Sequence, residues 1–291
     1  MFKREIMKII RLDQPIDDEQ RAELLFSGHL LIYQQRESMF ELIELTKDIL
    51  KQHLGDLNPA YAQRDLNRQS FLSLTGNAQH QFRHCSHARE LFFKVLMECG
   101  VDTHLSYYDH FPLRVVPYAN QHHGAHRAAI GHHRDTWGSN IHSQQNWWAP
   151  IFDLTAQRTL AIYPDYWTKP LANTTATWNF KVFLAQRSMT QSERSIAYPS
   201  APTPTEQVDE SAVVKMILKP GDVLNFASAH LHASVPNTSD ATRFSVEMRT
   251  IHQDDLALQR QAPNVDNDAS EPMYTWFKHI QDKHKPIAQH E

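Results

Sequence analysis

The chain has 291 residues, 41% of them hydrophobic and 10% aromatic, and a formal net charge of −4. That is enough apolar material for one large domain with a sizeable core, and too much for a disordered chain. No basic block offers itself to nucleic acid, and no apolar run approaches the roughly 18 residues that a membrane helix needs.

The opening MFKREIMKII lacks the apolar stretch and small-residue cleavage site of a secretory signal, and residues 7–11 read as a short strand. The two cysteines, Cys85 and Cys99, form no disulfide or metal pattern. A reducing, cytoplasmic setting is therefore expected. The acidic start and helical spacing of DDEQRAELLF, stopped by Gly28, predict a helix followed by a strand. Apolar residues Met39, Leu42, Ile43, Leu45, Ile49 and Leu50 predict a helix over 37–54 ended by Gly55, and a second amphipathic helix fits 84–98.

From Tyr107 onward the texture changes. The runs LRVVPY, NWWAPIFDL, TLAIYP, NFKVFL, AVVKMIL, DVLNFAS and RFSVEMRTI are β-prone and separated by Pro, Gly, Asn and Asp clusters, the pattern of a barrel or sandwich. Two polar loops, 198–211 and 260–272, read as mobile, and a final helix is expected near 272–283. The expectation is one domain over 1–291, mainly β with flanking α-helices. It has a helical part over 1–104, a β core over about 105–252, and a C-terminal loop and helix over 253–291.

Within the core stands GHHRDTWGSN, residues 131–140. A chain with 19 histidines makes His-x-Asp triplets by chance, and His252-Gln253-Asp254 repeats the spacing. Context separates the two. After His133-Arg134-Asp135 come strands, a Lys-Pro-Gly-Asp turn, a strand leading to His232, and Arg243 eleven residues beyond. Two imidazoles and a carboxylate on one face, with other positions open, make the 2-His-1-carboxylate set of non-heme iron(II) oxygenases. His133 and Asp135, two apart on a strand, would share a face, and His232 would complete the set from a distant strand. Arg243 would then grip the far carboxylate of a dicarboxylic cosubstrate. The alternation of RFSVEMR puts Ser245, Glu247 and Arg249 on the same face as Arg243. His230, two residues before His232, is the rival third ligand.

The order His-x-Asp, β region, Pro-Gly-Asp-x-Leu-x-Phe, Leu-His-x-Ser-x-Pro-Asn, then Arg resembles the phytanoyl-CoA dioxygenase family of Fe(II)/2-oxoglutarate-dependent oxygenases over roughly residues 105–250. The resemblance implies a double-stranded β-helix, a jelly-roll of cupin type. It also implies Fe(II) held by His133, Asp135 and His232, and 2-oxoglutarate meeting Arg243 with help from Ser245. In TLAIYPDYW, Thr159 stands where many members have glycine and Asp165 follows the proline, marking a divergent subgroup whose substrate is not implied by the family name. The expected partners are a small-molecule substrate and O2, with no nucleic acid and no membrane. Trp137, Asn146, Trp147 and Arg249 are candidate substrate contacts, Trp147 and its neighbour Trp148 alternating faces. His122, His123 and His126 lie in an expected loop. Two alternatives remain open: a cupin-like metalloenzyme that does not use 2-oxoglutarate, and a non-catalytic metal-binding β-barrel.

Overall fold

The computed structural model describes residues 7–118, 130–188 and 201–287; His122, His123, His126 and the first residues of the 198–211 loop lie outside them. Strand β1 (Ile9–Leu12) leads to helix α1 (Asp18–Phe26), whose N-cap Asp17 accepts a hydrogen bond from the Gln20 amide. Gly28, at φ 92°, turns the chain into β2 (Leu30–Tyr33), and α2 (Glu37–Leu54) follows with the expected bounds.

Two helices then occupy a region where the sequence suggests one. Helices α3 (Arg68–His84) and α4 (Ser86–Glu98) are broken at Cys85. Helix α3 escapes the periodicity reading because it buries only Phe71, Thr75, Ala78 and Phe82, a stripe half made of small or polar residues.

The β core follows: β3 (Ser106–Tyr108), β4 (Leu113–Val116), the short helix α5 (Asp135–Ser139), β5 (Gln145–Pro150), β6 (Leu160–Ile162), helix α6 (Phe180–Ser188), β7 (Val214–Met216), β8 (Val223–Ala227), β9 (His232–Ser234), β10 (Arg243–His252), helix α7 (Gln253–Ala257) and β11 (Lys278–His279). The run NFKVFL is helical in α6, where the side chain of Asn179 accepts from the Val182 amide and Phe180 packs edge-on against Trp276. The expected helix over 272–283 is a single 3-10 turn followed by β11, because Phe277 and His279 bury themselves beside β3 on either side of exposed Lys278.

In the larger sheet the order is β1-β2-β8-β5-β10-β3-β11, with β4 also pairing β10; the smaller sheet runs β7-β6-β9 and is extended by an antiparallel bridge between His133 and His232. Followed along the chain, β4, the His133 bridge, β5, β6, β7, β8, β9 and β10 fall into a four-strand order β4-β10-β5-β8 facing an order His133-β9-β6-β7. That is a double-stranded β-helix. The helices cover the outer face of the larger sheet, where Tyr33, Trp147, Val223, Phe244, Val246 and Met248 join α2, α3 and α4 in one apolar cluster. Between the sheets a second cluster gathers Leu30, Ile32, Trp148, Leu160, Ile162, Leu224 and Phe226. The opposite end of the inter-sheet space is polar, and the site lies there. No helix among the described residues is long and apolar enough to cross a membrane.

The 260–272 loop is not the loosely held segment its composition suggests. Ala262 and Asn267 are buried, and Asp266 accepts hydrogen bonds from Trp137 and the Leu171 amide. The turn before β8 behaves as proline and glycine dictate: Gly221 has φ 94°, and a Cβ there would collide with the Phe40 ring. Gly76, inside α3, has open space around it. Gly221→Ala should therefore lower stability by about 1–3 kcal/mol, whereas Gly76→Ala should raise it by about 0.5–1 kcal/mol, both read from urea midpoints.

Candidate metal centre

The antiparallel bridge sets the geometry. The His133 amide donates to the His232 carbonyl and the His232 amide to the His133 carbonyl, each at 3.0 Å. Residues paired in this way project side chains to the same face, and the two imidazole rings lie 4.2 Å apart between centroids. Each ring presents Nδ1 to a backbone carbonyl, His133 to Gly131 at 2.8 Å and His232 to His230 at 3.0 Å. With Nδ1–H donating there, the Nε2 lone pairs are free to bind a metal.

Asp135 comes from a different kind of element than the alternation suggests. It is not on a strand: the chain leaves the bridge at His133 and Asp135 opens the five-residue helix α5. Its carboxylate still reaches the rings, with Oδ1 3.9 Å from His133 Nε2 and Oδ2 3.5 Å from His232 Nε2. Ligands bound at about 2.1 Å and at right angles sit roughly 3 Å apart, so a small inward movement closes the set on an ion. These three residues are the one His/Cys/Asp/Glu group among the described residues with ligand atoms all within 4.8 Å of one another.

Electrostatics keep the ligands in binding form. Burial works to raise the Asp135 carboxyl, but the Arg249 guanidinium, then His232 and His133, outweigh it and hold the group far below the usual carboxylate range. Burial first, and His133 second, push His232 down to about 4, so its ring is neutral near pH 7. Asn146 donates to Asp135 Oδ2 and Arg249 Nη1 donates to Oδ1 at 3.0 Å. Arg249 is itself fixed by Asp109, whose Oδ2 accepts from Nε at 2.6 Å. Nothing in the sequence singles out Asp109; its role is visible only once β3 and β10 pair.

Along β10 the expected row faces inward. Arg114 pairs with Glu247, which leaves Arg243 without that carboxylate as a partner. Arg243 is buried, its Nη1 donating to the Thr159 carbonyl at 2.6 Å and its Nη2 to Ser234 Oγ at 3.0 Å. Thr159, at the position where the resemblance expects glycine, thus contributes its backbone. Arg243 forms no ion pair among the described residues, and its Nε and Ser245 Oγ are buried without a hydrogen-bond partner. Burial, then Arg114, push the Arg243 guanidinium down to about 10. A guanidinium buried on these terms carries an uncompensated desolvation cost, which an anion beside it would offset.

The remaining candidates separate. His230 sits in the turn before β9 with both ring nitrogens 3.1 Å from carbonyls of Ala227 and Gly28, its ring tilted against that of Trp167; it is a core histidine. His252 ends β10, away from the three ligands and 3.6 Å from Asp18. Trp147 packs under the helices, stacked on Tyr33, and donates to Thr250 Oγ1; as a substrate contact it is ruled out by facing the wrong side of β5. Trp137 is fully buried with Ala161, Tyr163, Tyr166 and Ala233 beyond the smaller sheet, so it is no pocket wall either. Asn146 and Arg249 do face the site, but both are committed to Asp135.

No family profile matches the chain, and no curated protein resembles it in sequence. Solved structures with a related shape include EvdO2 from Micromonospora carbonacea var. aurantiaca, with 14% identity over 90% of this chain and 97% of that one, at a TM-score of 0.46. The epimerase SnoN, in complex with Fe3+, alpha ketoglutarate and nogalamycin RO, has 9% identity over 88% and 95% of the chains, at 0.41. The non-heme monooxygenase ThoJ has 15% identity over 76% and 74%, also at 0.41. At such scores the likeness is remote, and the reading of the site rests on the chain's own residues.

The geometry predicts that His133→Ala and His232→Ala each abolish tight Mn(II) binding in calorimetric titration, while His230→Ala and His252→Ala retain it. Loss in His230→Ala with retention in His232→Ala would reassign the third ligand.

Proposed function

We propose that this chain is an Fe(II)/2-oxoglutarate-dependent oxygenase that oxidises a small molecule with O2, releasing succinate and CO2, with hydroxylation as the outcome. The observation that carries the reading is the pairing of two features in one inter-sheet space. One is the His133, Asp135, His232 set, and the other is a buried guanidinium with an unspent donor. Iron with 2-oxoglutarate supplies the oxidising power for an unactivated C–H bond.

The chain's own residues do the rest. His133 and His232 offer Nε2, and Asp135 offers an oxygen that Asn146 and Arg249 keep ionised and aimed. Arg243 reaches Ser234, which lies two residues from His232 on the same face of β9, roughly 7 Å along the strand. A dicarboxylate bound at the metal would set its far carboxylate on Arg243 Nε and Ser245 Oγ, the two buried polar atoms without a partner. Apolar Trp148, Leu224 and Phe226 keep water from the inner wall, which strengthens these contacts. Free Cys85 and Cys99 suit a cytoplasmic setting.

A cupin-like metalloenzyme that makes no use of 2-oxoglutarate would share the three ligands but leave Arg243 Nε and Ser245 Oγ with nothing to bind. The two readings part on a simple measurement. Purified protein with Fe(II) and 2-oxoglutarate, with no added substrate, should form succinate slowly. Arg243→Lys keeps the charge but loses the fork, so it should raise the KM for 2-oxoglutarate about ten- to a hundredfold while Fe(II) affinity stays close to wild type. An unchanged KM in that variant, or no succinate from the wild type, would remove the cosubstrate from the account.

A further inference from the structure

Of the three ligands, Asp135 alone lacks a sheet to hold it. The two histidines are locked by their mutual bridge, whereas Asp135 opens a helix of five residues, too short to persist by itself. Something else must hold that helix. The structure shows what does: a stretch of chain 130 residues further on wraps α5 from end to end.

The contacts run in order. The Ala262 amide donates to the His142 carbonyl at 3.0 Å, just past the helix. Asp266 Oδ2 accepts from Arg134 Nε at 3.1 Å, and its Oδ1 accepts from Trp137 Nε1 at 2.7 Å. Asn267 Nδ2 donates to the Thr136 carbonyl at 2.7 Å and to Asn140 Oδ1 at 3.0 Å. Asn140 Nδ2 returns a bond to the Ala269 carbonyl at 2.9 Å, and the Met273 amide donates to the Ser139 carbonyl at 2.8 Å. Trp276 lies over Gly138, and the Arg249 guanidinium, which bonds Asp135, stands 5.5 Å from its ring centroid. Residues 134, 136 and 137, flanking Asp135 on both sides, are thus all held by Asp266 and Asn267.

We propose that residues 262–276 are a clasp that positions Asp135, and that Asp266, which touches neither metal nor substrate, is its positioning residue. The proposal rests on the metal-centre reading above. Asp266 binds Arg134 and Trp137 at once, so it fixes both the entry to α5 and its first turn. The Asp135 carboxylate is thereby kept at the distance from His133 and His232 at which three ligands close on one ion. Without it the two histidines remain a pair but the third ligand swings. The clasp also explains why a polar, largely exposed segment makes so many hydrogen bonds to α5 and its flanks.

The test compares the full chain with Asp266→Ala, Asp266→Asn and Trp137→Phe, using Mn(II) affinity by calorimetry and the visible spectrum of the Co(II)-loaded protein, which reports coordination geometry. Phe82→Leu, in α3 and far from the centre, controls for lost stability. Asp266→Ala should weaken Mn(II) binding about tenfold or more and change the Co(II) spectrum. Asp266→Asn, which keeps an acceptor but not the charge, should fall between it and wild type, and Trp137→Phe should show a smaller shift in the same direction. Phe82→Leu should lower the melting temperature with affinity and spectrum intact. Should Asp266→Ala fail to fold, Asp266→Asn decides. Wild-type affinity and an unchanged Co(II) spectrum in a folded Asp266 variant overturn the clasp alone. A wild type that binds neither ion overturns the metal centre and the clasp together.

Discussion

Two backbone hydrogen bonds, exchanged between His133 and His232, hold together what this molecule can do. They join the segment that follows β4 to a strand a hundred residues later, and make two imidazoles neighbours on one face. Everything else at the centre is arranged around that pair. The Nδ1 atoms turn to carbonyls so that Nε2 is free, burial keeps His232 neutral, and Asp135 is brought in from outside the ladder. The cost of bringing a carboxylate into this space is met by Arg249, whose charge is in turn compensated by Asp109.

The inward row of β10 shows a second constraint. Charged side chains at Glu247 and Arg249 have partners, in Arg114 and in Asp109 with Asp135. Arg243 has only neutral acceptors, and its Nε has no partner at all. A folded protein does not bury a guanidinium on those terms for stability, since the desolvation penalty runs to several kcal/mol and neutral acceptors return only part of it. The proposed function gives that guanidinium its missing partner, the far carboxylate of the cosubstrate.

Much of this was legible in the residues. The alternation of RFSVEMR assigned β10 its two faces, and the Lys-Pro-Gly-Asp turn placed β8 and, after it, His232. The β-helix followed from the resemblance and from short β-prone runs between turns. Where reading failed, the cause was a contact between distant parts of the chain. NFKVFL carries β-forming aromatics, yet Asn179 caps it and Trp276 packs on it as a helix. Trp137 and Trp147 looked like pocket walls because tryptophan suits one, but their indole N–H groups are spent on Asp266 and Thr250 in the core. Asp109 and Asp266 lie in irregular chain with no periodicity around them, so no pattern marks them. Asp135 is singled out by its spacing from His133, but it opens a helix rather than lying on a strand, since a three-residue motif does not reveal that the chain turns helical within it.

The central claim is that the three ligands and Arg243 serve one ligand-binding event, and reciprocal linkage tests it most directly. Under anaerobic conditions, 2-oxoglutarate affinity is measured by equilibrium dialysis with and without Mn(II), and Mn(II) affinity with and without 2-oxoglutarate. A dicarboxylate that spans from the metal to Arg243 must tighten metal binding by the same factor by which the metal tightens its own. The account predicts equal factors of about tenfold or more. Binding of each at an affinity indifferent to the other would contradict it.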